Sequence, residues 1–586
     1  MLENIIQPQT GTANLQDYRE ACKNFSWDDV GREFSWHESN KLNIGYEAVD
    51  RHADDPATAG RNCLVFSNGS REEKITYAEM RLLSNRFGNV LRGLGAEKGS
   101  RVALFMPSLP EMYIAMAGCA KAGAVIVPLK IMLQTGALGR HMSDARAKVL
   151  ITTTEYRHLI PVGELPDLEH IIVVGDDPSE LDEGDLLWKN LMQAAPEQLD
   201  ICWVDRDFPL FIVYTSGRHG KPVGLLHAHD AMRGYLMTSR WVLDLQQDDI
   251  LWTQALPGGH LHAVYSAFAP WLCGVTTFTS GRMERADTIY RHIERYGITV
   301  MYTAPEIYKM LTEAGQETSG KYDLNRLRHL INVGHTLESR TIYAIMRILG
   351  TPVYDTWLSE ETGMITIANF RCLPIKPGFL GKPFPGIHAG VFDSNGEDVE
   401  PFTMGALALK SGRPPMACGE WNSRLRARAN RSDRPWLMPG DMVFRDLDGY
   451  FFHQGHNDDA VVTGEGRLCL AEIEDTLLSH PAIADAGGVR VSAEKGSGQI
   501  KTFVCLQGHY RPSEFLKLEI LAHIMKNLSC TEGIGDVEFV DELPRDKDGT
   551  ILRRVLKAWD LGLPAGDMAA LTESRHEGQT KKRAVA

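Results

Sequence analysis

The residues from Tyr214 to His229 read Tyr-Thr-Ser-Gly-Arg-His-Gly-Lys-Pro-Val-Gly-Leu-Leu-His-Ala-His and follow a β-rich run from Phe208 to Tyr214. Glycines and small polar residues at this spacing suit a phosphate. Gly217, Gly220 and Gly224 let the backbone turn its N–H groups toward an anion and approach it closely. The same pattern also suits an ordinary strand-to-loop turn, so the rest of the chain has to decide between them. A second constellation is His260 and His262, at i and i+2 in Pro257-Gly-Gly-His-Leu-His262. Without a nearby third ligand, such a pair serves packing or hydrogen bonding more often than metal binding.

The elements around these residues alternate between strand and helix. Thr76 can cap a helix with Glu79 three residues on, ahead of apolar positions at Met80, Leu83, Phe87, Val90 and Leu91. Arg101 to Pro107 reads as a buried strand, Glu111 to Ala122 as a helix and Ala124 to Pro128 as the next strand. Strand patterns recur at Lys148 to Thr152, His170 to Val174, Val275 to Thr279, Val300 to Thr303 and Leu330 to Val333, with helical patterns between them. The expected fold class is therefore α/β, a large N-terminal domain of α/β layers. Its N-terminal arm carries Trp27, Trp36 and an amphipathic helical pattern from Leu42 to His52. From about residue 385 the texture turns β-rich, with short strands such as Gly405 to Lys410 and Gly449 to Phe452. Beyond Asp458 a helix from Leu470 to Ser479, a strand pair and a helix from Ser513 to Leu528 predict a small α+β C-terminal domain. The expected division is a large domain over 1–457, with its β-rich subdomain at about 385–457, a small domain over 458–571 and a disordered polar tail over 572–586.

The chain has 586 residues, of which 43% are hydrophobic and 24% charged, as in ordinary globular proteins of several domains. Its net charge of −14 argues against nucleic acid as a partner. Ten cysteines without a C-x-x-C pair suit a reducing compartment. No run approaches about 18 apolar residues, and no basic-then-apolar leader opens the chain. A cytoplasmic protein without a membrane partner is expected.

Taken together, the Tyr214 run, Val333-Gly-His-Thr336, Tyr354-Asp-Thr-Trp-Leu-Ser-Glu-Glu-Thr-Gly363, Gly440-Asp441, Thr463-Gly-Glu-Gly-Arg467 and the closing run from Leu543 to Leu556 resemble the adenylate-forming (AMP-binding) superfamily. The nearest branch is the acetate–CoA ligases (acetyl-CoA synthetases), and the resemblance extends from Lys41 to Asp567. It implies ATP, Mg2+ and CoA as cofactors and co-substrates, a small carboxylic acid as substrate, an acyl-adenylate intermediate and a small C-terminal domain that rotates between half-reactions. Residue by residue, Thr215, Ser216, Gly217 and Gly220 match the phosphate loop, Asp355, Thr356 and Trp357 the adenine contacts, with Gly334 beside them, and Glu361 the magnesium ligand. A carboxylate is the hard ligand expected there. Asp441 matches the aspartate that holds the ribose hydroxyls, as a two-acceptor group can. Arg467 matches a nucleotide-associated arginine and Asp458 the hinge. Leu261, Val333 and Leu358 fall at the acid pocket.

The chain departs from that pattern at linked places. Arg218 and His219 replace the loop's hydroxyls, and Val223 replaces its lysine. Glu360 stands for a phosphate-contacting threonine, His335-Thr336 for Glu-Pro, His456 for arginine, Glu465 for the glycine that admits pantetheine and Thr550 for the catalytic lysine. Losing one electrostatic contributor of the lysine's kind costs about 10²–10³ in rate. Leu358 stands where a tryptophan closes the pocket down to acetate, and Gly259 and Leu261 where the branch has tryptophan and threonine, which implies a larger cavity. The expected function is an ATP-dependent acid–CoA ligase with altered acid specificity. The alternative is a catalytically impaired paralogue acting as a nucleotide- or acyl-binding or regulatory partner, and a homo-oligomer or a pairing with an active homologue is open as its assembly.

Overall fold

The computed structural model describes residues 5–560 apart from 10, 37–39, 132, 134, 178, 180, 217–221, 282–283, 335, 394–395, 404, 411–415, 423–435, 457–459, 464–465, 492–498, 529–532, 545–550 and 552. The chain divides into two compact units, Met1–Thr215 with Val223–Asn457, and Ser216–Pro222 with Asp458–Ala586.

Among the described residues the first unit contains two large sheets. One is nine-stranded, in the order Lys382–Pro383, Ile367–Ala368, Val353–Trp357, His329–Asn332, Val300–Thr303, Ile250–Gln254, Thr276–Thr279, Asn62–Ser67 and Glu72–Thr76. The other is eight-stranded, in the order Gly419–Glu420, Pro222–Ala228, Pro209–Ser216, Val125–Pro128, Arg101–Phe105, Val149–Thr153, His170–Val174 and Leu186–Leu187. Both are parallel through their centres; the nine-stranded sheet is antiparallel at both ends, the eight-stranded one at the Gly419–Glu420 edge only. Their central strands read as apolar runs because helices cover both faces. The helix Tyr77–Gly93 begins with the predicted capping box, Thr76 and Glu79 exchanging backbone and side-chain bonds. Pro110 opens Pro110–Ala122 and Gly123 closes it at φ +75°, a conformation that costs glycine little.

A smaller antiparallel sheet pairs Ala389–Phe392, Gly405–Lys410, Asp441–Arg445 and Phe451–His456 in that order, with Trp436–Leu437 on Gly405–Lys410. The second unit holds a two-stranded ribbon, Ala460–Thr463 with Gly466–Cys469, and a three-stranded sheet, Ile483–Val491, Gln499–Leu506 and Ile534–Phe539. Leu470–Leu478 and Glu514–Asn527 pack on the latter through Leu470, Ile473, Ile520 and Ile524. No helix among the described residues is long and apolar enough to cross a membrane.

Two local expectations change. The glycine-bearing turn expected after Tyr214 is flanked by more strand than the sequence reading gave: Pro209–Ser216 runs past Tyr214, and Pro222–Ala228 is a strand again. The glycines that mark a turn in sequence mask this, for Gly224 sits within a strand where a Cβ would meet Ile212 Cγ2 at 2.8 Å. The arm helix from Leu42 to His52 is a π turn, Tyr46–Asp50, followed by Arg51–Asp54, with Asp50 held 2.5 Å from the buried Lys121 ammonium.

Candidate active site

Thr215, Val333 and the run Asp355 to Trp357 lie where parallel strands end, the edge at which open α/β sheets bind ligands. Asp355, Thr356 and Trp357 close the strand Val353–Trp357, and all three are buried. Asp355 is 1% exposed and accepts two bonds on Oδ1, from Asn332 Nδ2 at 2.5 Å and from the Leu337 N–H at 3.2 Å. Burial raises its carboxyl to about 7 despite those donors. Thr356 Oγ1 donates to the Asn332 carbonyl at 2.7 Å and meets Tyr302 OH at 3.1 Å. Val333 N–H bonds the Thr303 carbonyl at 3.0 Å, and Gly334 follows at φ +104°.

Beyond Trp357 the chain makes a tight turn. Ser359 N–H donates to Thr362 Oγ1 at 2.9 Å and Thr362 N–H to Ser359 Oγ at 3.3 Å, so the turn fixes itself and carries Glu360 and Glu361 half-buried at its tip. The Ala417 N–H bonds the Glu361 carbonyl at 3.0 Å. Under this turn lie two imidazoles in ring contact, His227 and His260, with centroids 4.3 Å apart and planes tilted by 36°. His260 Nε2 donates to the Gly363 carbonyl at 2.6 Å. Burial holds both rings below the usual histidine range, so both are neutral at pH 7, although the Glu360 charge pulls His260 upward. His262 joins a different group: its Nε2 lies 2.6 Å from Ser108 Oγ and 3.4 Å from Tyr113 OH, and burial lowers it to about 4. The histidine pair thus serves hydrogen bonding and packing.

Leu261 and Leu358 are both half-buried and pack against the main core of the first unit, in which Val333 and Trp357 are buried. Asp441 stands on the smaller sheet, 1% exposed, and accepts from His453 Nε2 at 2.8 Å. His456 lies opposite Asp441 in the strand register. Thr215 is half-buried at the end of Pro209–Ser216, and Val223 half-buried at the start of Pro222–Ala228. Arg467 lies on the ribbon Gly466–Cys469 of the second unit, paired with Val462. Gly217, Arg218, His219, Gly220, His335, Asp458, Glu465 and Thr550 lie outside the described residues.

A cavity of about 1150 Å³ opens at the strand ends of both large sheets, lined by Pro107 to Leu109, Thr153 to Tyr156, Trp252 to Pro257 and Thr279 to Gly281. Gly258 lets the loop after Ile250–Gln254 approach the other sheet: at φ +94°, a Cβ there would lie 2.1 Å from the Leu129 carbonyl carbon. Sequence reasoning missed the companions that set this geometry, namely Asn332 on Asp355, His453 on Asp441 and His227 under the turn. His227 alone carried a signal, lying within the run singled out first.

This architecture, with carboxylates at strand ends and a separate small α+β unit, is that of the adenylate-forming enzymes. The chain belongs to the AMP-binding enzyme family: that family matches residues 46–413, and the AMP-binding enzyme C-terminal domain matches residues 472–550. It is 40% identical to an acetyl-coenzyme A synthetase of Bacillus subtilis (strain 168) over 564 residues, 96% of this chain and 98% of that one. It is 33% identical to the acetyl-coenzyme A synthetase of Methanothrix soehngenii, over 92% of this chain and 85% of that one. Among solved structures, a Brucella canis acyl-CoA synthetase aligns at 25% identity and TM-score 0.70, covering 94% of this chain and 99% of that one. The anthranilate CoA ligase AuaEII, crystallised with anthranoyl-AMP, aligns at 27% identity and TM-score 0.68, covering 92% of this chain and all of that one.

Proposed function

We propose that this chain is an ATP-dependent carboxylic acid–CoA ligase of the acetyl-CoA synthetase type, with altered acid specificity. The observation that carries the reading is the buried Asp355-Thr356-Trp357 strand end running into the Glu361 turn, in a chain 40% identical to a synthetase over nearly its whole length. In the first half-reaction a carboxylate oxygen attacks the α-phosphorus of ATP, the bond to pyrophosphate breaks, and an acyl-adenylate forms. In the second the thiol of CoA attacks the acyl carbon and AMP leaves.

Thr215, Ser216, Gly217 and Gly220 would cradle phosphates, Gly334, Asp355, Thr356 and Trp357 would hold the adenine, and Asp441, steadied by His453, the ribose. Leu261, Val333 and Leu358 would face the acid. Arg467 would act with the nucleotide and Asp458 as hinge, between domains 1–457 and 458–571. Glu361 suits Mg2+: it is a half-buried carboxylate on a self-bonded turn, and Mg2+ is usually bound by one or two carboxylates plus substrate phosphates. Bound there, the ion would neutralise phosphate charge, while the turn fixes where the carboxylate stands. The cysteine pattern supports a cytoplasmic location.

ATP–pyrophosphate exchange across acids from acetate to aryl acids, followed by CoA-dependent AMP formation, tests the reading. Exchange with some acid is expected; its absence with every acid would refute adenylation.

A further inference from the structure

The short strand Gly419–Glu420 lies on the edge of the eight-stranded sheet, antiparallel to Pro222–Ala228. The residues around it reach three parts of the site. On one side, the Ala417 N–H bonds the carbonyl of Glu361 at 3.0 Å. In the middle, the Cys418 N–H bonds the Leu226 carbonyl at 2.7 Å and the Trp421 N–H that of Gly224 at 2.6 Å. The Trp421 side chain then crosses Gly224, where a Cβ would stand 3.1 Å from Trp421 Cβ, and its indole N–H donates to the Asp144 carbonyl at 2.9 Å. Asp144 is a shared post. Its Oδ2 accepts from Tyr214 OH at 2.6 Å, and its carbonyl accepts from Asn422 Nδ2 at 2.8 Å. Arg101 closes the outer face, its guanidinium 5.6 Å from the Trp421 ring centroid.

Tyr214 and Gly224 lie on the two strands from which the run 217–221 departs. One residue, Trp421, therefore reaches both strands, one directly through Gly224 and the other through Asp144, and its segment also holds the backbone of Glu361. We propose that Trp421 is a positioning residue for MgATP binding, fixing through Asp144 the spacing between the strands that flank the phosphate-binding run and, through Ala417, the register of Glu361 against them. This rests on the ligase reading above. Within it, Trp421 touches neither nucleotide nor metal but sets where the groups that do so stand.

The test is a double-mutant cycle read by calorimetric MgATP titration at several Mg2+ concentrations. Trp421→Phe keeps an aromatic ring and drops the indole donor, and Tyr214→Phe drops only the hydroxyl that meets Asp144. Losing one hydrogen bond of this kind weakens affinity about 5-fold. Each variant is expected to show that loss together with a higher Mg2+ half-saturation, and the double variant to lose less than the product of the two. A merely structural role would lower the melting temperature and leave the Mg2+ dependence unchanged. Unchanged MgATP affinity in both single variants, or fully multiplicative losses, overturns the proposal.

Amide exchange in the ligand-free protein separates this idea from the function it rests on. If the wild type binds no MgATP, the ligase reading fails. Faster exchange at Leu225 to Ala228 in Trp421→Phe would still support the clamp, whereas unchanged exchange there would reject it.

Discussion

Asn332 donates its side-chain amide to Oδ1 of Asp355 at 2.5 Å, and the two are direct partners across neighbouring parallel strands. One backbone register thus fixes both the carboxylate and its donor. The same Oδ1 also takes the Leu337 N–H, while Oδ2 is buried without a partner among the described residues.

That asymmetry predicts a pH-dependent stability. The Asp355 carboxyl is raised from 3.8 to about 7 by burial. In the unfolded chain it ionises near pH 4, while in the fold it keeps its proton up to about pH 7. The folded state binds the extra proton in this window, so the group's contribution to stability falls as pH rises from 4 to 7 and stays lost above. Asp355→Asn keeps Oδ1 as acceptor and removes the ionisation. The variant is expected to gain stability over the wild type as pH rises, by an upper bound on the order of 4 kcal/mol at pH 8. Thermal unfolding at pH 4.5, 6 and 8 checks it; a difference that does not vary with pH would contradict the assignment.

His453 gives a second prediction. Its Nε2 holds Asp441 Oδ1 at 2.8 Å, and both side chains are nearly excluded from solvent. A hydrogen bond to a charged group contributes about 1.5–3 kcal/mol. His453→Ala removes this bond from Asp441 and is expected to raise KM for ATP roughly 10-fold, with a smaller change in kcat. Steady-state exchange kinetics separate the two parameters; a pure loss of kcat would place His453 elsewhere in the mechanism.

How much of this was legible in the sequence follows from which interactions are local. The central strands could be read almost to the residue, His170–Val174 and Val300–Thr303 without error, because strands buried on both faces are continuous apolar runs. The capping box at Thr76 and Glu79 is equally local. Pro222–Ala228 was hidden, since its proline and glycine read as turn residues until Trp421, far along the chain, is seen to occupy the space that Gly224 leaves. Asp355 and Asp441 carried motif signals, whereas Asn332 and His453 are set by strand pairing, which leaves no mark in spacing along the chain.

Leu358 predicts acid choice. It is half-buried in the cluster that includes Val333, Leu261 and Trp357. Filling that position with an indole removes space, and pocket-size differences of this kind discriminate by about 1–3 kcal/mol. Leu358→Trp is expected to lower kcat/KM for bulkier acids 10-fold or more relative to acetate. Exchange rates over an acid series give the ratio, and an unchanged ratio would remove Leu358 from the acid pocket.

The last prediction concerns the missing cations. Val223 stands at the start of Pro222–Ala228, at the position to which the family resemblance assigns the loop lysine, and Thr550, outside the described residues, at the one to which it assigns the catalytic lysine. Restoring both charges supplies the electrostatic stabilisation worth about 10²–10³ in rate. Glu360 opposes it. Its carboxylate is half-buried beside His260, raises that ring's proton affinity, and stands at the position from which a threonine would contact phosphate. A fixed negative charge there repels the group the lysines attract, and it acts in a partly desolvated setting where screening is weak. Val223→Lys with Thr550→Lys is therefore expected to gain less than 10-fold in ATP–pyrophosphate exchange with acetate, and the triple variant with Glu360→Thr to recover a further 10-fold or more. Comparing the double and triple variants at matched Mg2+ decides it: a full gain from the two lysines alone would show that Glu360 does not face the phosphates.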